Sequence, residues 1–87
     1  MNFTDEELQM FERCFELAAE GYRMSSDIET QLRRTFWWMS AARAYIVVRA
    51  WIRNREKIGT LLVERSRQKA LVENEHHQHG EACSASS

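Results

Sequence analysis

A chain of 87 residues makes one domain, and a domain this short buries only about 60–65% of the surface its unfolded form exposes, so it leans on a disulfide, a metal or a partner. With no proline and three glycines, breakers are scarce, which argues against a multi-turn β fold and for long helices. The net charge of −1 conceals a division: residues 1–20 hold six acids against one base, and residues 30–69 hold ten bases against two acids. An acidic helix lying along a basic one would cancel much of this, and a basic surface for an anionic ligand is the alternative.

The first element opens at Thr4. Thr4 followed by Glu7 spells a capping box, and Asp5, Glu6 and Glu7 suit the positive end of a helix dipole. Leu8, Phe11, Phe15 and Ala18 recur at helical spacing and form one face, with Cys14 at its border as a small buried hydrophobe. Gly21 stands where a left-handed residue would end the helix, so the first helix is predicted over about 5–20.

Ser26 followed by Glu29 spells a second capping box. No strong breaker then follows before Gly59, which predicts a long helix over about 27–58, continuing or kinking at Gly59 to about 75. Such a helix would run ~48 Å against ~24 Å for the first, which could cover only half of it. It carries two apolar stripes. Ile28, Leu32, Phe36, Met39, Ile46, Val47 and Ala50 form the first, the natural seat of helix 1, with Arg43 inside it and paired to an acid. Trp37, Trp38, Ala41, Ala44, Tyr45, Val48, Trp51 and Ile52 form the second, which is left for a partner.

The expected fold is therefore all-α: a helical hairpin assembled as an oligomer. A single helical domain spans 1–75, followed by a disordered His/Ser-containing tail over 76–87. The apolar run 36–52 is too short to span a membrane, and it contains Arg43 and Arg49, each costing ~2.5–3.5 kcal/mol near a bilayer centre. Cys14 and Cys83 allow only one pair, and the acidic, polar start does not read as a signal peptide. Free thiols in a cytoplasmic setting are the expectation.

No catalytic signature is present: there is no Gly-rich phosphate loop, G-x-S-x-G, H-E-x-x-H or CxxC. Glu73, Glu75, His76, His77, His79 and Cys83 include metal-donor types, but a site needs three or four ligands held in place, and a solvated polar tail is the better reading. No metal, cofactor or catalytic residue is assigned. The bases scatter around the helical wheel and the pI is about 6.3, which disfavours nucleic acid. Arg33, Arg34, Arg49 and Arg53 are the candidate anion-binding residues.

Thr30, Leu32, Phe36 and Trp38, followed by the small residues Ser40, Ala41 and Ala42, resemble the second-helix pattern of a family of small phage helical-hairpin proteins. The capped opening Thr4-Asp5-Glu6-Glu7-Leu8 is similar to that family's first helix. The resemblance covers Thr30–Ala44 plus this helix start. It implies an oligomeric sponge that sequesters cyclic oligonucleotide immune signals without catalysis. The short loop Gly21–Ser25 and the basic extension 53–75 depart from the pattern, and no binding residue is carried over.

Two functions follow as expectations. The first is a non-enzymatic interaction or regulatory protein that self-associates or docks a protein on the Trp/Ala stripe, since aromatics and arginine dominate interface energetics. The second is a sponge that holds a small anionic nucleotide between subunits by arginine contacts and aromatic stacking.

Overall fold

Local signals set the first helix. Thr4 Oγ1 accepts the Glu7 amide at 3.1 Å, and Glu7 Oε1 accepts the Thr4 amide at 3.1 Å, completing the capping box. The helix α1 (Asp5–Glu20) ends at Gly21, whose φ of 113° is left-handed. The Gly21 amide donates to Ala18 O and the Tyr22 amide to Leu17 O, the paired bonds of a Schellman ending. The computed structural model describes the backbone of residues 2–86 and the side chains of residues 2–73. The tail expected over 76–87, with its histidines and Cys83, lies outside the described side chains.

Beyond α1 the described chain is helical in three further elements, α2 (Ser25–Thr35), α3 (Ala41–Arg53) and α4 (Arg55–Ser86), and no strand occurs among the described residues. The all-α expectation is met. The single long helix over 27–58, and with it the two-helix hairpin, is not. The chain leaves helical geometry at Phe36 (φ −110°, ψ 73°) and resumes after Ser40, whose hydroxyl accepts the Arg43 amide at 3.1 Å. Within the turn the Met39 amide donates to Phe36 O, and Arg33 Nε donates to Met39 O at 3.2 Å.

The reason for the break is burial. A straight rod could lay only half its length on α1. Folding at 36–40 sets α2 and α3 side by side, so that both reach the same core. Ile28 and Leu32 enter from α2, Met39 plugs the turn, and Ala44, Val47, Val48 and Trp51 enter from α3, against Met10, Phe11, Cys14 and Leu17 of α1. Each large side chain buried this way contributes about 1.5–3 kcal/mol, more than the modest loss of helix bonds at a capped turn. Phe36-Trp37-Trp38 lowers the resistance, because bulky aromatics are middling helix formers.

One smaller expectation also falls, and the alternatives at Gly59 are decided. Ser26 does not cap α2: the helix begins two residues earlier, at Ser25 behind Met24, which makes no side-chain cap, and Met24 O accepts the Asp27 and Ile28 amides. At Gly59 the helix continues, the first of the two alternatives, without a break. The bend lies at Asn54 (φ −118°, ψ 23°), whose side-chain amide donates to Ala50 O at 3.1 Å. After it Ile58 enters the core and α4 runs antiparallel to α1, with Phe15 beside Gly59 and Asp5 3.4 Å from Arg65.

Candidate interaction surface

Because the chain folds at 36–40, the phase of α3 is set by α1 and α2. Its buried side is Ala44, Val47, Val48 and Trp51. Its outer side presents Ala41, Ala42, Tyr45, Ile46, Arg49, Ile52 and Arg53 to solvent. At about 100° per residue these seven fall within one arc with Arg49 near its middle. The turn before α3 adds Trp37, 84% exposed, and Trp38, half-exposed and edge-on to Phe36 with ring centroids 6.1 Å apart. Large apolar groups left this open on a small domain make this face a candidate interaction surface.

The residues assigned to the partner stripe therefore divide. Trp37, Trp38, Ala41, Tyr45 and Ile52 are exposed, and Ala44, Val48 and Trp51 belong to the protein's own core. Trp51 meets Phe15 of α1 edge-on, with centroids 5.4 Å apart, and the guanidinium of Arg55 lies 4.6 Å from its ring centroid. Its indole N–H is buried with no hydrogen-bond partner among the described residues. Ile46, assigned to the covered stripe, is 57% exposed, and Arg43 stands in solvent with no carboxylate beside it among the described residues. Periodicity finds the amphipathic pattern but not its phase, which is why Ile46 is missed.

The candidate anion-binding arginines separate as well. Arg33 and Arg34 lie at the end of α2, with Arg33 held to the Met39 carbonyl. Arg49 and Arg53 share a shallow groove of about 300 Å³ with Tyr45, Ile46 and Ala50, and the Arg49 guanidinium lies 5.5 Å from the Tyr45 ring centroid. A second cleft of about 430 Å³, where α1 ends and α2 begins, is lined in part by Tyr22, Arg23, Ser25 and Arg55. Sequence reasoning passed over Arg23 and Arg55, since nothing in the spacing brings residues 32 apart to one cleft.

Cys14, the described thiol, is fully buried, and burial pushes its pKa up to about 12, so it stays protonated and unreactive. Among the described residues no three metal-donor side chains gather, and no helix is long and apolar enough to cross a membrane. Comparison with protein-family models, curated proteins and solved structures finds no match. The segment Thr30–Ala44, expected as part of one helix, spans the end of α2, the turn and the start of α3.

Proposed function

We propose that this chain is a non-enzymatic interaction or regulatory protein that acts by docking another protein, or another copy of itself, on the outer face of α3 and the turn before it. The observation that carries this reading is the set of Tyr45, Ile46 and Ile52, exposed beside Arg49 and Arg53 on a helix whose other side is already buried, with Trp37 exposed in the turn before it. Aromatic and arginine side chains supply most hot spots of protein interfaces, so their concentration on one open face favours recognition over solvation.

The test compares face variants with a control. Association is measured by light scattering of the purified chain and by crosslinking to partners in its native cell. Tyr45→Asp with Ile46→Asp is expected to abolish it, and Val63→Asp, an exposed residue of α4, is expected to leave it intact. Association indifferent to Tyr45 and Ile46 overturns the reading.

One observation favours a second reading, the oligomeric sponge for a cyclic oligonucleotide or other small anion: Arg49 stacks on Tyr45 beside Arg53 in the same groove. A ligand of the folded state raises the melting temperature by mass action. A melting point unmoved by cyclic di- and trinucleotides near a millimolar removes this reading.

A further inference from the structure

We propose that the occupant of the α3 face is an acidic amphipathic helix of a partner protein, rather than a second copy of this chain, a nucleic acid or a membrane. The inference rests on the docking reading above and names its partner.

Charge supplies the first step. Between Glu29 and Glu56 the sequence contains six arginines and no carboxylate. All six are exposed, and none has a carboxylate within salt-bridge distance among the described residues. Two α3 faces brought together would set Arg49 and Arg53 of each copy against one another with no acid between them, and like charges at an interface repel. The outer face of α1 in a second copy is acidic, but Asp5, Glu6, Gln9, Glu12 and Glu16 offer nothing apolar to cover Tyr45 and Ile46. Neither the α3 face nor the α1 face of a second copy satisfies both the charge and the apolar surface, and the stretch of α4 that exposes Leu61, Val63, Leu71 and Val72 is itself net basic, with Arg65, Arg67 and Lys69 against Glu64 and Glu73.

Position supplies the second step. Arg49 lies near the middle of the exposed arc, with Tyr45 and Ile52 on one side and Ile46 and Arg53 on the other. A helix lying on a bilayer keeps its cations at the flanks and its apolar stripe in the middle. Here the most deeply inserted group would be a guanidinium. Ile46 and Ile52 have no π face for a base to stack on, so a single nucleic-acid strand would leave them in water. A partner helix with a carboxylate opposite Arg49 and aliphatic groups beside it meets every member of the face. Ala50, at the floor of the groove with Tyr45, Ile46, Arg49 and Arg53, lets one of those aliphatic side chains seat closely.

The full-length chain is titrated into four labelled probes: an amphipathic Leu/Glu helical peptide, its Leu/Lys counterpart, oligouridylate, and vesicles containing phosphatidylglycerol. Anisotropy, or scattering for the vesicles, is the readout. The Leu/Glu peptide is expected to bind and the Leu/Lys peptide not to. Arg49→Glu, with circular dichroism unchanged, should weaken the acidic peptide about tenfold or more and let the basic peptide bind instead. Equal binding of the two peptides, binding of neither, or preferential binding of oligouridylate or vesicles overturns the proposal. If Tyr45→Asp with Ile46→Asp still removes an association while the acidic peptide fails to bind, only the identity of the partner is lost. If those substitutions change no association, the docking reading falls with it.

Discussion

Helices α1 and α3 bury one side each in the same core, yet their outer sides are opposites. α1 turns Asp5, Glu6, Gln9, Glu12, Glu16 and Glu20 to water, and part of that charge is met within the chain: Arg13 lies 2.9 Å from Glu16 and 3.8 Å from Glu20, and Arg65 lies 3.4 Å from Asp5. α3 turns out Tyr45, Ile46, Arg49, Ile52 and Arg53, and ring stacking is the contact its Arg49 makes. Surface ion pairs of the α1 kind are worth little, about 0–1 kcal/mol, so the contrast lies less in stability than in what each surface is finished for. One is a charged surface met in part within the chain; the other is the face proposed above to dock a partner.

The sharpest break of this comparison falls between the two sides of α3 itself. Trp51→Arg places a charge in the core and should leave the chain unfolded, and Trp51→Ala should cost about 3–5 kcal/mol. Trp51→Phe should cost much less than Trp51→Ala, because it keeps a ring and removes an indole N–H that has no partner. Ile46→Asp, one turn away on the outer side, should leave stability within about 0.5 kcal/mol. Urea melts followed by circular dichroism rank the four. An Ile46→Asp protein that unfolds would mean that the outer side is structural.

Cys14 tests the buried side of α1 by pH. Burial pushes its thiol up to about 12 in the folded chain, against 9.0 for a free thiol, so the folded state holds the proton more tightly than the unfolded state does. The contribution is therefore fully present below about pH 9 and is lost as pH rises towards 12. Wild type should lose stability over that window more steeply than Cys14→Ala, which has no proton to release there. Parallel curves would show that the site is wetter than its packing implies. Smaller still is the effect expected on the outer faces: replacing Glu12 and Glu16 together by Gln should leave association unchanged, where Tyr45→Asp with Ile46→Asp removes it.

Those contrasts also separate what was legible in the residues from what was not. The limits of α1 were, because the Thr4–Glu7 box and Gly21 act within a few residues. The fold at 36–40 was not. No proline or glycine marks it, and Ser40 lacks the Glu or Gln three residues on that made Ser26 look like the stronger start. What decides the break is the shared burial of α2 and α3 on α1, a tertiary gain with no local signature. The candidate face suffered from the same gap. Trp37, Trp38, Tyr45 and Ile52 stand out because they recur at helical spacing. A continuous helix, however, phases its stripes wrongly against the core, giving Trp51, Val48 and Ala44 to a partner and withholding Ile46 from one.

The two glycines beside the C-terminal half of α1, Gly21 at its end and Gly59 next to Phe15, give the finest test, because one methyl group should act with opposite sign. Gly21 has φ 113° with open space around it, so Gly21→Ala meets no neighbour but forces a left-handed backbone on an L residue. A loss of about 1 kcal/mol is expected. Gly59 lies inside α4 at ordinary helical geometry, and an added Cβ would rest 3.5 Å from Phe15 Cζ, an ordinary contact. Gly59→Ala should therefore stabilise by about 0.5–1 kcal/mol through helix propensity and the narrower unfolded ensemble. Thermal melts of the two variants should move in opposite directions. A destabilised Gly59→Ala would mean that α4 lies closer to α1 than 3.5 Å allows and that Phe15 has no room to yield. The antiparallel α1–α4 contact, rather than the break before α3, would then be the tightest constraint in the fold.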